Sequence, residues 1–262
     1  MLRNAWDHIP APARRALMLA FRSEKVRLKV LKMLGIRSDT GFFTLSTGGL
    51  GAIDSAMQQI ASTGPNGDYY EFGVYRGYTL WHAQRAADNF GVRSMRFFGF
   101  DSFDGLPEIQ GNDRDAAIFF SGDYSCSMDE VETQLDAHGF DSCRGALIEG
   151  FYDRSLTPEV KQLHNMGPAA LVMVDCDLYQ STVPALAFIS ELLQDGTIIL
   201  FDDWECFGDS EQHGERRAFR EFLDAHPDWT TESFTEFPAY GRGFVMRRRD
   251  RFPASHDRMQ HP

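Results

Sequence analysis

Two short apolar runs in this chain each end in a pair of aspartates. The first run, AALVMV, leads into Asp175 and Asp177, and the second, TIILF, leads into Asp202 and Asp203. Apolar runs of this length are typical of buried parallel strands, and ligands bind at the carboxyl ends of such strands. Carboxylates that lie close together there need a cation or shared protons. The pattern favours a site of oxygen ligands over the alternative, solvated loop acids.

The elements that must position these acids alternate between strands and helices. Strands are predicted at residues 69–74, 95–100, 146–149, 169–174 and 197–201. Helices are predicted at residues 79–89, 127–138, 157–165, 181–193 and 214–225, and a final strand pair at 230–237 and 243–248. Alternation of this kind predicts an α/β fold, a mostly parallel sheet with helices on both faces. The last two strands are expected to form an antiparallel hairpin.

Composition excludes several classes of partner. The chain has 262 residues and a formal net charge of −12, which opposes binding to nucleic-acid phosphates. No apolar run reaches the roughly 18 residues that a membrane-spanning helix needs. The N-terminus lacks the continuous apolar core of a signal peptide. We therefore expect a cytoplasmic protein that is not an integral membrane protein and does not bind nucleic acid.

The N-terminal region and one internal loop stand apart from the alternating pattern. Residues 13–34 combine basic and apolar positions in a way that predicts an amphipathic helix. We expect residues 1–66 to form a helical extension for substrate contacts or homo-oligomer contacts, 67–250 the main domain, and 251–262 a flexible tail. Residues 107–126 are long for a connecting loop, which is typical of lids and binding loops.

A second set of residues follows the first two predicted strands. Gly73 and Gly77 would let the backbone turn tightly at a helix N-terminus, and Asp101 ends the second strand. A carboxylate in that position accepts hydrogen bonds from ribose hydroxyls in nucleoside-binding sheets, although Asp101 could instead cap a turn. Nucleoside binding is favoured. A nicotinamide-dependent oxidoreductase is disfavoured because no GxGxxG motif is present, and a non-catalytic nucleoside-binding protein stays open.

Five segments together resemble a known family. EFGVYRGYT, FDSFDGLPE, EGFYDRSL, VDCDLYQST and TIILFDDW are similar to the TylF-like, or macrocin O-methyltransferase, branch of class I S-adenosylmethionine-dependent methyltransferases. The resemblance covers about residues 68–222. It implies a seven-stranded Rossmann-like sheet that ends in a reversed hairpin. It also implies divalent-metal-dependent methyl transfer from S-adenosylmethionine to a small-molecule hydroxyl, with a natural-product sugar as the expected acceptor.

The resemblance assigns roles to particular positions. It implies that the methionine part of the cofactor is bound by Glu71, Gly73, Tyr75, Arg76 and Gly77. It implies that ribose and adenine are bound by Asp101, Ser102 and Phe103, with Gly150 and Phe151 near the adenine. It implies that Mg²⁺ or another divalent cation is held by Asp175, Asp202 and Asp203. Asp175 is thereby counted among the cofactor-binding and the catalytic residues as well.

The general base and the acceptor stay open. Asp177 follows Asp175 by two positions and is either the base or the cap of the next helix. His213 lies in a polar loop and is either a second candidate base or a solvated side chain. Tyr179 either lines the pocket or packs in the core. Two adjacent substrate oxygens would suit a magnesium site, so a sugar diol and a catechol are both candidate acceptors.

Overall fold

The computed structural model describes residues 48–116, 118–208 and 210–249. The predicted helix at 13–34 and the predicted tail at 251–262 lie outside these residues, so both stay predictions. Within the described ranges, no helix is long and apolar enough to cross a membrane.

Strands and helices alternate along most of the described chain. The seven strands of the sheet are β1 (Asp68–Phe72), β2 (Phe97–Asp101), β3 (Gly145–Glu149), β4 (Ala169–Val174), β5 (Ile198–Phe201), β6 (Trp229–Phe237) and β7 (Gly241–Arg248). The α-helices are α1 (Gly48–Thr63), α2 (Tyr78–Phe90), α3 (Gly111–Ala116), α4 (Met128–Ala137), α5 (Tyr152–Ser155), α6 (Pro158–Leu163), α7 (Tyr179–Ile189) and α8 (Gly214–Ala225). Short 3₁₀ turns at Ser142–Arg144 and Ser190–Leu192 precede β3 and follow α7.

The sheet has the order β3-β2-β1-β4-β5-β7-β6. The first five strands pair in parallel, and β7 runs antiparallel to both β5 and β6. The register aligns Phe72 with Val174 and Val174 with Phe201, so β1, β4 and β5 end at the same edge. The predicted α/β sheet with its C-terminal hairpin is confirmed.

The sheet separates two faces by the usual alternation of side chains along each strand. On one face, Phe72, Phe100 and Phe201 pack against α7 and α8 in a buried aromatic and aliphatic core. Full burial of one such side chain contributes about 1.5–3 kcal/mol. Residues of the opposite parity, including Glu71, point to the other face, where α1 packs on α2.

Two short helices and one helix start differ from the sequence-based prediction. Helix α3 lies inside the predicted loop 107–126, and α5 directly follows β3. Neither has the apolar periodicity by which a helix is recognised in a sequence. Helix α1 begins at Gly48, although the glycines at positions 48, 49 and 51 are typical of a flexible segment before a helix. Gly49 is buried there, and a Cβ on it would lie 3.3 Å from Met173 Cε, so a small residue suits the close packing.

Candidate functional site

Three aspartates meet at the shared edge of β4 and β5. Asp175 follows β4 directly, and Asp202 and Asp203 follow β5. Each offers one carboxylate oxygen, and these oxygens all lie within 4.8 Å of one another. The backbone N–H groups of Asp175 and Asp202 continue the sheet, since they donate to Phe72 and Val174. The sheet register therefore brings the three carboxylates together, as the sequence predicted.

The electrostatics of these carboxylates are unfavourable without a counter-charge. Burial raises the pKa of Asp202 to about 6. Burial and then repulsion from Asp202 and Asp203 raise the pKa of Asp175 well above its ordinary value, and burial and repulsion from Asp177 and Asp202 do the same for the pKa of Asp203. A set of hard oxygen donors that repel one another suits a cation such as Mg²⁺. The residues present therefore fit the implied metal.

Asp177 lies beside this triad. It is buried, its φ of 60° is in the left-handed region, and its carboxyl lies close enough to Asp203 for the charge of one to affect the pKa of the other. Burial is the largest cause that raises its pKa. It does not receive the first N–H of α7, because the N–H of Tyr179 donates to Asp113 Oδ2 at 2.6 Å. The geometry therefore places Asp177 with the carboxylates rather than in the role of a cap.

Glu215 is a further carboxylate at this edge that the sequence did not single out. It is fully buried in the first turn of α8, and its Oε2 accepts a hydrogen bond from the N–H of Asp203 at 3.0 Å. Its Oε1 has no hydrogen-bond partner in the part of the chain that the structure describes. Burial and repulsion from Asp203 and Asp202 raise its pKa well above the ordinary value. Glu215 thus orients the loop that carries two triad members.

Two predicted glycines shape the neighbouring end of β1. Gly73 has a φ of 97°, and a Cβ on it would lie 1.7 Å from the carbonyl oxygen of Asp175. Only glycine allows the β1 and β4 ends to approach so closely. Gly77 has a φ of 79° and precedes α2. A Cβ on Gly77 would lie 3.1 Å from the side chains of Leu135 and Val131, so the turn into α2 packs closely against α4.

Asp101, at the end of β2, holds this loop in shape. Its Oδ2 accepts hydrogen bonds from the N–H groups of Val74 and Tyr75 at 2.8 Å, and its Oδ1 accepts from Phe103 N–H at 2.8 Å. Burial raises the pKa of Asp101, while these backbone bonds lower it. The adjacent Ser102 hydroxyl donates to the carbonyl oxygen of Gly105 at 2.7 Å. Both predicted ribose contacts thus also organise the backbone of the loops that they would present to a nucleoside.

Glu71 lies on β1, one position before its end. Its Oε2 accepts a hydrogen bond from the hydroxyl of Tyr69 at 2.5 Å, and burial raises its pKa to about 8. Further along the chain, the Arg76 guanidinium lies 5.4 Å from the Tyr75 ring. The charge of Glu71 adds to the repulsion on Asp175 and is the last of the causes that raise the pKa of that carboxyl. Glu71 is thus near enough to the triad to belong to one site with it.

The remaining predicted cofactor residues follow β3. Gly150 has a φ of 129°, and its N–H donates to the carbonyl oxygen of Asp101 at 2.9 Å. Phe151 precedes α5 and is partly exposed. The bond between the loops after β2 and β3 therefore brings Gly150 next to the predicted ribose position.

His213 and Tyr179 make contacts away from the triad. His213 precedes α8, stacks on Phe207 with ring centres 5.1 Å apart, and shares a short hydrogen bond of 2.5 Å with Ser210 Oγ. The Tyr179 hydroxyl donates to Glu221 at 2.6 Å, and Arg217 lies 4.0 Å from the Tyr179 ring centre. Among the described contacts, none joins His213 to the aspartates. Tyr179 packs against α8, as in the second of its two predicted readings.

Residues from the loop 107–126 cover the carboxylate edge. Ile109 and Phe119 form a small apolar cluster with Leu178, against which Tyr124 and Phe207 pack. Tyr124 also meets Tyr75 edge to face, with ring centres 5.7 Å apart. Burial, followed by the charges of Asp177, Asp203 and Asp175, raises the pKa of Tyr124 above its ordinary value. We call this cluster of Ile109, Phe119, Leu178, Tyr124 and Phe207 the roof of the site.

Four of the five described non-glycine residues with positive φ lie in the roof and the loops below it, and the fifth, Asn165, lies between α6 and β4. Tyr75, Phe103, Tyr124 and Asp177 all have φ values between 49° and 62°, in the left-handed region that is unfavourable for non-glycine residues. Strained backbone of this kind clusters at functional sites because the surrounding contacts must hold it. The four residues come from four different loops at one edge of the sheet. The distribution of strain therefore marks the same edge as the carboxylates.

Comparisons with known proteins show the family to which the chain belongs. The family model for macrocin-O-methyltransferase (TylF) matches residues 42–228. A curated protein from Streptomyces olivaceus, 8-demethyl-8-(2,3-dimethoxy-alpha-L-rhamnosyl)-tetracenomycin-C 4'-O-methyltransferase, is 24% identical over 153 residues. That match covers 56% of this chain, and the chain spans 57% of the length of that relative.

Two solved structures share the fold. The O-methyltransferase NovP superposes with a TM-score of 0.62 at 22% identity, over 76% of this chain and 79% of NovP. CalS11, a calicheamicin methyltransferase, superposes with a TM-score of 0.60 at 22% identity, over 91% of this chain and 94% of CalS11. At this level of identity, the two superpositions support the common architecture of the sheet and its helices.

Proposed function

The chain belongs to the macrocin-O-methyltransferase (TylF) family, and we propose that it moves a methyl group from S-adenosylmethionine to a hydroxyl of a natural-product sugar. The Streptomyces olivaceus relative, whose name describes 4'-O-methyl transfer on a rhamnosyl tetracenomycin, supports a sugar acceptor. One observation carries the proposal. A glycine-lined loop at the end of β1 and a triad of carboxylates at the ends of β4 and β5 meet at a single backbone contact, Gly73 against Asp175.

The β1, β2 and β3 ends would bind the cofactor. The N-terminus of α2, preceded by Gly73 and Gly77, offers backbone N–H groups and a positive dipole end to the carboxylate of the methionine part. Burial raises the pKa of Glu71 to about 8, and the positive charge of the ammonium group would lower it again, so Glu71 would be its anionic partner in the complex. Asp101 uses both lone pairs of Oδ2 and one of Oδ1 for backbone N–H groups, and the remaining lone pair of Oδ1 would accept from a ribose hydroxyl. Ser102, Phe103, Gly150 and Phe151 would border the ribose and the adenine.

The β4 and β5 ends would bind a divalent cation and the acceptor. Asp175, Asp202 and Asp203 would hold the cation, and Glu215 would keep Asp203 in place from behind. A divalent cation bound there lowers the pKa of a coordinated hydroxyl and fixes its orientation. Mg²⁺ suits the carboxylate donors, and the mutual repulsion of the triad supports a cation over an empty site.

The transfer itself needs a group that accepts one proton. A bond forms between the acceptor oxygen and the methyl carbon, and the bond from that carbon to the sulfonium sulfur breaks. S-adenosylhomocysteine leaves as a neutral thioether, and the hydroxyl proton passes to a carboxylate. We assign this proton to Asp177 because its buried carboxyl lies beside Asp203, outside the triad, and its pKa is raised by burial. His213 is the weaker candidate because its described contacts lie with Ser210 and Phe207.

A radiolabel assay with two classes of acceptor tests the proposal. Purified protein is incubated with S-adenosylmethionine labelled in the methyl group and with rhamnosylated aglycones or simple catechols, each with Mg²⁺ or with EDTA. We expect label on the sugar acceptors in the presence of Mg²⁺ only. Label on catechols alone would show that the acceptor is a catechol and not a sugar.

Binding measurements separate the proposal from the other classes. Isothermal calorimetry should show binding of S-adenosylhomocysteine and none of NAD. Binding of NAD instead would point to an oxidoreductase. Equal transfer with Mg²⁺ and with EDTA would remove the cation from the reaction while leaving the methyltransferase activity standing.

A further inference from the structure

Asp113 joins two helices that are far apart in the sequence. It lies in α3, within the segment 107–126, and only 3% of its surface is exposed. Its Oδ2 accepts a hydrogen bond from Tyr179 N–H at 2.6 Å, and its Oδ1 accepts from Gly214 N–H at 3.0 Å. The two partners lie 66 and 101 residues away along the chain. One buried carboxylate therefore uses both oxygens to hold two helix starts.

The two helix starts lack caps of their own. Helix α7 is preceded by Leu178 and α8 by His213, and neither residue makes a side-chain cap hydrogen bond. The first N–H groups of a helix have no partner inside it, and a negative charge near them is stabilising. Asp113 supplies the missing acceptor and the negative charge to both helices at once. The contact is therefore a substitute for two separate N-caps.

Both helices continue directly from the carboxylate loops. Helix α7 begins two residues after Asp177, and the loop that contains Asp202 and Asp203 leads into α8. The separation of the two helix starts therefore limits the separation of the two loops that carry the triad. Glu215 adds a second tie, because it lies in the first turn of α8 and holds the N–H of Asp203.

Further hydrogen bonds join the segment 107–126 to α7 and to the loop just before α8. Gln110 N–H donates to Oε1 of Gln180, and Gln180 Nε2 donates to the carbonyl oxygen of Glu108, both at 2.9 Å. Asn112 Nδ2 donates to the carbonyl oxygen of Gln212 at 3.2 Å. These three hydrogen bonds are exposed, whereas the Asp113 side chain is buried, with one of its two hydrogen bonds buried and the other partly buried. Asp113 is thus the member of this set that water cannot easily replace.

We infer that Asp113 is a positioning residue that sets the spacing of the carboxylate triad from the segment that covers the site. This inference rests on the proposed function for its metal, although the contact with the two helices is independent of any metal. Residues that orient metal ligands from behind typically change metal affinity by about 10–100-fold when they are removed. Because the same segment contributes Ile109, Phe119 and Tyr124 to the roof, a change in the roof would reach the metal ligands through Asp113.

Three variants of the full chain test the inference. Asp113→Ala removes both acceptors, whereas Asp113→Asn is isosteric and keeps one acceptor oxygen. Asn112→Ala is the matched control, because it removes one exposed hydrogen bond of the same short helix, to the carbonyl oxygen of Gln212, and leaves the bonds from Tyr179 N–H and Gly214 N–H to Asp113 in place. Three quantities are measured on each: the Mn²⁺ dissociation constant by electron paramagnetic resonance, the S-adenosylhomocysteine dissociation constant by calorimetry, and amide hydrogen exchange at Tyr179 and Gly214.

We expect the Mn²⁺ dissociation constants of the three variants to differ in a fixed order. Asp113→Ala should raise the Mn²⁺ dissociation constant by about 10-fold or more, with Asp113→Asn between Asp113→Ala and the unaltered chain and Asn112→Ala unchanged. S-adenosylhomocysteine affinity should stay within about twofold, which a general loss of folding would not allow. Should Asp113→Ala fail to fold, the isosteric Asp113→Asn decides alone.

Two contrary results are distinguishable. Unchanged Mn²⁺ affinity in Asp113→Asn and Asp113→Ala, with unchanged exchange at Tyr179 and Gly214, would overturn the inference. Absence of Mn²⁺ binding by the unaltered chain would contradict the proposed metal site instead. In that case the exchange rates alone judge whether Asp113 holds the two helix starts, since faster exchange in Asp113→Ala supports the tie and equal exchange overturns it.

Discussion

The two halves of the site solve opposite electrostatic problems. At the ends of β1 and β2, Asp101 receives three backbone N–H groups and Glu71 receives the hydroxyl of Tyr69. At the ends of β4 and β5, Asp175, Asp202 and Asp203 face one another across less than 4.8 Å. The first half is satisfied by its own chain except at Oε1 of Glu71, which is buried without a hydrogen-bond partner among the described residues, whereas the second half gains from a positive charge supplied from outside.

Because its two halves differ in this way, one edge of the sheet can bind two unlike ligands, a large cofactor and a small ion. Backbone donors and glycines build a site whose shape is fixed before the ligand arrives, which suits a large cofactor with many polar groups. Clustered carboxylates cost stability until a cation neutralises them, which suits a small ion of high charge. The halves meet where Gly73 lies against the backbone of Asp175, so substitutions on either side should have separable effects.

The largest effect is expected from Asp202→Ala on the metal side. Loss of one triad ligand should remove about 4 kcal/mol of transition-state stabilisation, which is about 1,000-fold in the rate of methyl transfer. S-adenosylhomocysteine affinity should change by less than about twofold, because Asp202 makes no part of the β1 and β2 loops. The control is Asp104→Ala, which removes an exposed acid from the same edge. Full activity of Asp202→Ala would contradict the assignment of the β4 and β5 ends as a metal-binding half of the site.

The next effect is expected at the seam between the halves. Gly73→Ala would place a Cβ 1.7 Å from the carbonyl oxygen of Asp175, so the β1 and β4 ends must separate. We expect the free energy of unfolding to fall by about 3 kcal/mol or more, as measured by urea denaturation followed by circular dichroism.

The chain offers a matched control for this substitution. Gly91 also has a positive φ, 82°, but a Cβ there would meet nothing within 4 Å among the described residues. Gly91→Ala should therefore cost only the conformational penalty of about 1 kcal/mol. Equal losses for the two variants would mean that φ, and not the close approach to Asp175, decides the role of Gly73.

A smaller effect is expected from Asp101→Asn on the cofactor side. An amide cannot accept the same set of backbone hydrogen bonds on both of its polar atoms, so the loop after β1 should lose its fixed shape. We expect S-adenosylhomocysteine affinity to fall by about 2 kcal/mol, or about 30-fold, in calorimetry. Mn²⁺ affinity should stay unchanged. If Asp101→Asn loses affinity for both S-adenosylhomocysteine and Mn²⁺, the two halves of the site are not independent.

The smallest effect is a pH dependence of stability. Burial raises the folded-state pKa of Asp202 to about 6 and that of Glu71 to about 8. Between their ordinary values near 4 and these raised values, the folded chain binds more protons than the unfolded chain. The free energy of unfolding without metal should therefore fall as pH rises from about 5 to about 8.

Magnesium should reverse part of this loss. An ion at about 100 times its dissociation constant adds about 2.7 kcal/mol, and ionised ligands bind it better. Differential scanning calorimetry should therefore show a larger increase in Tm on addition of Mg²⁺ at pH 8 than at pH 5. Asp202→Asn should abolish that increase. An Mg²⁺ effect that is larger at pH 5 would contradict the direction of these pKa shifts.

Local patterns in the sequence predict most of the sheet and the positions of the triad. The bounds of β4 and α8 agree with the prediction, and the capping box at Ser127 and Glu130 is present. The aspartates after β4 and β5 could be placed together because neighbouring parallel strands end at one edge. Apolar runs and turn residues suffice for such statements, since they depend on a few consecutive positions.

The supports of the site could not be read in the same way. Asp113 acts on residues 66 and 101 positions away, and nothing in its neighbourhood GNDRDA distinguishes it from an exposed acid. Glu215 is polar and follows a glycine in a charged stretch, so its complete burial has no local signal. Tyr124 belongs to a segment without periodicity. Their roles depend on how loops from distant parts of the chain meet, which is a tertiary property.

Binding of Mn²⁺ tests whether Asp175, Asp202 and Asp203 form a metal site, and the measurement needs no knowledge of the acceptor. Electron paramagnetic resonance counts bound Mn²⁺ on the unaltered chain, on Asp202→Ala and on Asp101→Asn, each saturated with S-adenosylhomocysteine. We expect one bound ion for the unaltered chain and for Asp101→Asn, and none for Asp202→Ala. An unaltered chain that binds no Mn²⁺, or an Asp202→Ala variant that binds it with the same affinity, would contradict the assignment of the triad as the metal site.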